Sequence, residues 1–296
     1  SVPGALSLST QISVPGIKAG WVGKGIDGST LDAVPSDAAV LAAFTLGRDA
    51  LNENFLTDIL PKLLKDVNWS AYSAYDDVLD ELKDMEEEGK GWKMDSLINM
   101  LEGTLFIAMA PKDESDENDQ EDAPPFNLVA GIKITDQKLF SEVYGALKAG
   151  GAIKELEEQG LYLVQNKSFV FICTENYKQQ LEGKGKLAQS LGKERRKNIL
   201  GKPAIMWADL PRTTKFTDDD GPWASDDPAD KALTSFVKYL SVSLNVTEGK
   251  AAGVFRLESR DQDTPAIRQI IESITGNVPL WEFKTGGEVI SSPAIG

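Results

Sequence analysis

The sequence contains no histidine and only one cysteine among its 296 residues. The absence of histidine excludes Ser-His and Cys-His nucleophile pairs, imidazole metal ligands and the usual general base near neutral pH. Most common hydrolase mechanisms are therefore excluded. The one cysteine, Cys173, follows an apolar run at residues 169 to 172, which predicts a buried, unreactive thiol. A single cysteine forms no intrachain disulfide, so it does not indicate the compartment.

Long apolar runs and positive charge are also scarce. No stretch approaches the roughly 20 apolar residues of a membrane helix, so we predict no transmembrane segment. The first residues lack a signal-peptide pattern, and we expect any export signal or anchor to have been removed. The 31 basic and 46 acidic residues leave a net charge of −15. Such a charge repels nucleic acid, and we therefore predict no nucleic-acid partner.

Sequence motifs for cofactor chemistry are missing as well. The chain has no phosphate-binding loop, no dinucleotide fingerprint after a strand and no Gly-x-Ser-x-Gly elbow. The Ser-x-x-Lys pattern begins at Ser190 and at Ser235, which is about the number expected by chance from the serine and lysine content. We therefore predict no catalytic residue and no cofactor, with calcium as the one alternative.

The apolar residues predict an α+β fold in which a mostly antiparallel sheet carries amphipathic helices on one face. Alternating or compact apolar runs predict strands, and apolar residues spaced by three and four predict helices. Asp136 is predicted as the N-cap of one helix, which Gly150 and Gly151 end. The predicted strands are residues 5–12, 37–46, 103–110, 127–134, 161–165, 169–174, 203–208, 241–246 and 251–257; the predicted helices begin at about residues 52, 75, 137 and 264.

The order strand, variable helical segment, hairpin, helix occurs twice, which predicts a degenerate internal repeat. The alternative is that any α+β chain can be divided in this way. The repeat gives five predicted regions: an N-terminal strand and glycine-rich arm (1–34), a first α+β module (35–183), a basic linker (184–202), a second and shorter module (203–276) and a C-terminal tail (277–296).

Two acidic clusters are candidates for cation binding. Residues 113 to 122 hold seven carboxylates but no glycine, so we interpret them as a solvated loop between two strands. A second cluster surrounds Gly221 and is a weak candidate calcium site, with an ordinary turn as the alternative. Its acidic residues are Asp218, Asp219, Asp220, Asp226 and Asp227.

Three tryptophans stand in loop-like sequence beside glycine or proline: Trp21, Trp92 and Trp223. An exposed indole stacks on a sugar or on a partner protein, whereas a buried one closes the edge of a core, and both readings stay open for these residues. Positive charge accumulates only at residues 184 to 202. We interpret this stretch as a solvated linker, and docking of an anionic partner is the alternative.

The segments GIDGSTL (25–31), VPSDAAVL (34–41) and LEGTLFIA (101–108), with the helix that begins at Asn52, resemble a family of unknown function. Its members are large cell-envelope proteins of Bacteroidetes bacteria, and many of them are lipoproteins. In that family, Pro-x-Asp-Ala and Leu-x-Gly precede strands of duplicated α+β modules. The resemblance covers about residues 25 to 175. It implies a periplasmic or surface location, although the acidic loop at 113 to 122 and the missing lipidated cysteine depart from the pattern.

These observations favour a non-enzymatic cell-envelope protein with an interaction or structural role, whose partner is an envelope protein or a glycan. Two alternatives remain at this point. A glycan or small-ligand binding module needs an apolar pocket with exposed indoles at its mouth. A carboxylate-dependent, metal-assisted hydrolase needs at least two buried carboxylates with shifted pKa values. The sequence leaves the oligomeric state open.

Overall fold

A computed structural model describes most of the chain and shows one continuous antiparallel sheet of eleven strands. The strand order across the sheet is β11-β10-β1-β9-β8-β7-β2-β3-β4-β6-β5. The described residues are 5–13, 18–52, 61–62, 76, 80, 83–84, 92–112, 126–166, 168–182, 186–213, 216, 237–247, 249–259, 282–285 and 288–291. The mixed α+β class and the antiparallel pairing predicted from the sequence are confirmed.

The strands match the predicted apolar runs closely. Each of the three predicted hairpins is present, and two strands near the C-terminus extend the sheet where only a tail was predicted. The strands are β1 (Ala5–Ser13), β2 (Val40–Thr45), β3 (Leu101–Pro111), β4 (Phe126–Ile134), β5 (Leu161–Asn166), β6 (Phe169–Thr174), β7 (Ala204–Asp209), β8 (Val237–Thr247), β9 (Lys250–Ser259), β10 (Glu282–Thr285) and β11 (Glu288–Ser291).

The described helices are short except for the one predicted after Asp136. The Asp136 carboxylate accepts a hydrogen bond from the Leu139 amide at 2.9 Å, and Gly151 ends the helix with φ of 97°. The predicted helices beginning near residues 52, 75 and 264 lie largely outside the described residues. The described helices are α1 (Gly28–Ala33), α2 (Met94–Met100), α3 (Gln137–Gly150), α4 (Ala152–Glu158), α5 (Glu175–Glu182), α6 (Leu187–Ser190), α7 (Gly192–Ile199) and α8 (Leu210–Thr213).

The largest hydrophobic core lies on one face of the sheet, which we call the inner face. There the side chains of β2, β3, β4, β6 and β7 pack against residues of α1, α5, α6 and α7. Tyr177, Leu187, Leu191 and Ile199 supply the helical side of this core and are fully buried. This part of the predicted basic linker is therefore helical and inserts its apolar residues into the core, so the interpretation as a solvated linker is wrong.

Two further helices contact the opposite face, which we call the outer face. Successive side chains of a strand point to opposite faces, so Val170 lies on the outer face when Phe169 and Phe171 lie on the inner one. Val170 packs in a separate cluster with Phe140 of α3 and Met100 of α2. The described helices thus contact both faces of the sheet, and the prediction that they share one face is not confirmed.

The glycine-rich arm crosses the sheet beside the ends of β2 and β7. Gly23 donates to the Thr45 carbonyl at 3.0 Å, the Gly201 amide donates to the Ile26 carbonyl at 2.9 Å, and the Ile26 amide donates to the Lys202 carbonyl at 2.9 Å. A Cβ on Gly25, which has φ of 96°, would lie 2.5 Å from the Gly201 backbone. Glycine is therefore required at this close approach. Within the described ranges, no helix combines the length and the apolar composition needed to cross a bilayer.

Candidate functional site: an open apolar face and an arginine–aromatic cluster

The outer face of the sheet carries a row of apolar side chains that runs across seven strands. Cross-strand partners project from the same face, so the registers define the row. Beginning at β8 and ending at β5, the row is Val242, Met206, Ala42, Ile107, Ala130, Ile172 and Leu163. The sequence predicts the strands but not this row, because the row arises only when the pairing order is known.

Much of this row is open to solvent. Met206 is 55% exposed, Ile107 40% and Ile172 38%, and Leu244 in the neighbouring row is 43% exposed. Among the described residues, these are four of the six large apolar side chains that are exposed, and they share one face. We call the outer-face surface around these four residues the open patch. Scattered exposed apolar residues are ordinary, but a contiguous group on one sheet face is typical of an interaction surface.

The rows on either side of the central row are apolar as well, so the open patch extends along the strands. Phe44 pairs with Ala204 on one side and with Leu105 on the other. Val40 lies between Met109 and Ala208 in the same way. The patch therefore presents a surface without charged side chains in these rows, although the whole chain carries a net charge of −15.

The tryptophans predicted as binding residues have different surroundings. Trp21 lies in a short 3-10 helix and is 45% exposed. Trp92 is half-buried and packs with Leu51, Leu97 and Val143, so it contributes to a small core cluster. Trp223 lies outside the described residues. Of the two described tryptophans, Trp92 therefore takes the core role, whereas Trp21 is exposed.

The candidate calcium ligands Asp218, Asp219, Asp220, Asp226 and Asp227 lie outside the described residues, as do residues 113 to 122 of the predicted acidic loop. Within the described part of the chain, no group of three or more cysteine, aspartate or glutamate side chains has the arrangement of a metal site. The calcium alternative therefore stays a prediction from the sequence.

One charged cluster joins the glycine-rich arm to β4. The Lys133 ammonium lies 2.7 Å from the Asp27 carboxylate and 2.9 Å from Glu102. Asp27 also caps α1 by accepting hydrogen bonds from the Thr30 amide and from the hydroxyls of Ser29 and Thr30. Partial burial acts to raise the pKa of Asp27, but the hydrogen bond from Lys133, together with those from Ser29 and Thr30, outweighs it and holds the pKa well below its usual value. The pairing with both carboxylates raises the pKa of Lys133 despite burial.

A second charged cluster lies where α8 follows β7. Burial raises the pKa of Asp209, and the neighbouring cations, first among them Arg212, offset only part of that effect. The Arg212 guanidinium lies 3.5 Å from the Asp209 carboxylate and donates to the Ser36 carbonyl at 2.9 Å. Arg212 thereby connects α8 to the segment that precedes β2. We interpret the Asp209–Arg212 ion pair as structural.

The third cluster combines two arginines with two aromatic rings on the inner face. Arg195 of α7 and Arg256 of β9 each donate through Nε to a different oxygen of Glu258, at 2.8 and 3.1 Å. The Arg195 guanidinium lies over the Tyr239 ring, 4.1 Å from its centroid, and the Trp207 ring stacks on Tyr239 with centroids 5.7 Å apart. The sequence gives no signal for this cluster, because its residues come from four separate elements.

Cys173 is fully buried on the inner face, as predicted. Burial raises the pKa of the thiol to about 12, so the thiolate needed for nucleophilic chemistry is not formed near neutral pH. A role for Cys173 as a nucleophile is therefore excluded in the folded protein.

Comparisons with models of known protein families, with curated proteins and with solved structures return no match to this chain.

Proposed function

We propose that the protein is a non-enzymatic interaction protein that acts through its open patch, and that the partner is a second copy of the same chain. The observation that carries the proposal is that Met206, Ile107, Ile172 and Leu244 are exposed together on one sheet face. Covering such side chains removes apolar surface from water, at about 25 cal/mol per Å². The cell-envelope location remains a proposal that rests on the family resemblance.

The dimensions of the patch suit a pair of stacked sheets. The four exposed residues lie on strands from β8 to β6, six strands that extend about 24 Å at about 4.8 Å spacing, and three side-chain rows extend about 20 Å along the strands. Ile132 and Val170 of this face already pack in a cluster with residues of α2 and α3. The area left for a partner is on the order of 400 Å² for each copy, which corresponds to a weak interface, below the roughly 800 Å² per partner of a standard one. Two apolar sheet faces pack about 10 Å apart, in the manner of a β-sandwich.

The uncharged character of the patch favours a second copy as the partner. Each chain has a net charge of −15, so a self-contact is least unfavourable where it brings no like charges into direct contact. The three rows of the patch meet this condition, since the paired side chains in them are apolar. A twofold contact also buries the same side chains on both copies at once.

We further propose that the chain contains two related units that meet at the β2–β7 pair. From this pair outward, the order is β2, β3, β4 on one side and β7, β8, β9 on the other. Both hairpins contain a register shift near the start of their first strand, between Leu101 and Leu105 and between Val237 and Tyr239. This arrangement supports the repeat predicted from the sequence and places the pair at the centre of the open patch.

Sedimentation velocity of the full chain across micromolar concentrations tests the proposed function. We expect twice the monomer mass for the wild type and the monomer mass for Met206→Asp and Ile107→Asp, because a charge in the buried contact stays unpaired. Leu200→Asp is the matched control, since Leu200 is exposed but lies at the end of α7, away from the patch. A monomeric wild type, or a dimer that survives both patch variants, would overturn the proposal.

A further inference from the structure

The guanidinium groups of Arg195 and Arg256, which bind Glu258, have N–H donors that this contact does not use. Arg195 and Arg256 each use Nε for Glu258, and within the described part of the chain neither makes a hydrogen bond through its two terminal nitrogens. A guanidinium carries five N–H donors in a planar fork. Two forks therefore flank one buried carboxylate with most of their donors unused.

The positions of these forks are fixed by packing. The side chains of Arg195 and Arg256 are 27% and 18% exposed, so both are largely enclosed but still reach solvent. The Arg195 guanidinium packs on the face of the Tyr239 ring, and the Trp207 ring stacks on Tyr239. Because the side chains are already ordered, a ligand that binds them loses little additional conformational freedom.

The local charge is positive in a strongly acidic protein. The Lys238 ammonium lies 5.2 Å from the Tyr239 ring centroid, so among the described residues three cations, Lys238 and the two arginines, lie near Glu258. Arg195 and Lys238 also act electrostatically on a second carboxylate, Asp209. The nearby Asp209 is paired with Arg212. The cluster is therefore left with a surplus of positive charge that a bound anion would balance.

One further donor in this cluster lacks a partner. The indole Nε1 of Trp207 is buried, and among the described residues it makes no hydrogen bond. An unpaired buried N–H costs free energy, and sites that bind ligands are among the places where such groups occur. The Tyr239 ring already contacts Trp207 and Arg195, so the donors of the cluster, rather than this ring, are the groups left for a ligand.

We propose that Arg195 and Arg256, supported by Lys238, form a binding site for a small oxyanion beside Glu258, of the kind presented by a phosphate group or a carboxylate. Paired guanidinium forks match the oxygens of both anions by charge-assisted hydrogen bonds. This site lies on the inner face, and its occupation is independent of the contact proposed for the open patch.

Isothermal titration of the full chain with inorganic phosphate, and separately with acetate, tests the proposal at constant ionic strength. We expect saturable binding of at least one anion, and the stronger binder identifies the preferred chemistry. Arg256→Gln should weaken the binding about tenfold or more, because one fork is lost. Arg256→Lys keeps a positive charge beside Glu258 but loses the planar guanidinium. It should therefore weaken anion binding less than Arg256→Gln does.

Lys154→Gln is the matched control, because Lys154 forms an exposed ion pair with Glu158 on α4, away from the cluster. It should leave the anion affinity unchanged. Circular dichroism of each variant shows whether the fold is retained, and Glu258 keeps Arg195 as a partner when Arg256 is replaced. Absence of saturable binding of both anions to the wild type, or equal affinity in Arg256→Gln, would overturn the proposal.

Discussion

Lys133 in β4 and Glu258 in β9 lie at corresponding positions on the two sides of the β2–β7 pair and carry opposite charges. Each lies in the second strand outward from the pair, next to the register shift of its hairpin: Lys133 follows Ile132, the partner of Leu105, and Glu258 is the partner of Tyr239, in the last pair before the shift. Both are buried, and each is held by two ion pairs of the opposite sign. The same place in the sheet therefore holds a buried charge in both halves.

The surroundings of the two charges predict different energetic costs of neutralising them. Glu258→Gln leaves two largely enclosed arginines without their carboxylate, and we expect a loss of about 3 kcal/mol in the free energy of unfolding. Lys133→Gln leaves Asp27 and Glu102, whose side chains are 50% and 44% exposed and therefore hydrated. We expect that loss to be about 1 kcal/mol. Urea denaturation of the purified variants measures both values.

Lys154→Gln again serves as the control, since it removes an exposed ion pair and should leave the free energy of unfolding at the wild-type value within the error of the measurement. If Lys133→Gln costs as much as Glu258→Gln, the exposure of the partners does not determine the cost, and the explanation given for the difference is wrong.

The low pKa of Asp27 predicts a loss of stability in acid. A carboxylate whose pKa is lower in the folded state than in the unfolded chain stabilises the fold at pH values above the unfolded pKa. This contribution decreases as the pH falls below about 4 and through the folded pKa. Asp27→Asn keeps an N-cap residue but loses the charge opposite Lys133. The stability difference between wild type and Asp27→Asn should therefore be present at neutral pH and shrink at low pH.

Urea denaturation of both proteins at a series of pH values gives this difference directly. Because the Asp27 side chain is half exposed, solvent screening limits the effect at neutral pH to about 0.5 to 1 kcal/mol. A difference that stays constant into strong acid would show that Asp27 contributes through its cap alone.

Gly131 is predicted to tolerate no side chain, whereas Gly145 is predicted to accept one. A Cβ on Gly131 would lie 2.4 Å from Cε1 of Phe106, its cross-strand partner, which covers this glycine. Gly131→Ala should therefore lower the free energy of unfolding by about 1 to 3 kcal/mol through overpacking. Gly145 lies inside α3 and has open space around it, so Gly145→Ala should raise that free energy by about 0.5 to 1 kcal/mol.

The pair is a matched test, because the same chemical change is made at both positions. Thermal denaturation followed by circular dichroism should place the two midpoints on opposite sides of the wild-type value. If the clash with the ring is the cause, Gly131→Ala should cost less in a Phe106→Leu background than in the wild type, which a double-mutant cycle measures. A Gly131→Ala midpoint equal to that of the wild type would contradict the close contact.

The sequence predicts the strands well because their signal is local. The alternation of residues 127 to 134 is visible without any partner, and the Asp136 cap and the Gly151 end of α3 are also local features. The helices α6 and α7 were missed because the lysines and arginines between residues 184 and 202 hide Leu187, Leu191 and Ile199, which are the residues that pack in the core. Charge density alone does not show which residues face inward.

The two candidate sites were missed because each depends on pairing across distant parts of the chain. Met206 and Ile107 become neighbours of Ala42 only through the β2–β7 and β2–β3 registers. Arg195 meets Glu258 across 63 residues. Neither relationship leaves a pattern at fixed spacing in one sequence, and Trp92, which does stand out locally, serves a core cluster instead.

Cys173 should resist thiol reagents as long as the protein is folded. The side chain is fully buried, and its pKa of about 12 leaves almost no thiolate at neutral pH. Modification by a disulfide reagent should therefore proceed only through opening of the inner-face core and should become fast when the chain is unfolded in urea. Since Cys173 packs in the same core as Phe171 and Trp207, its labelling rate under native conditions reports the stability of that core. Rapid stoichiometric labelling of the native protein, at the rate of a free thiol, would show that this part of the sheet is not closed as described.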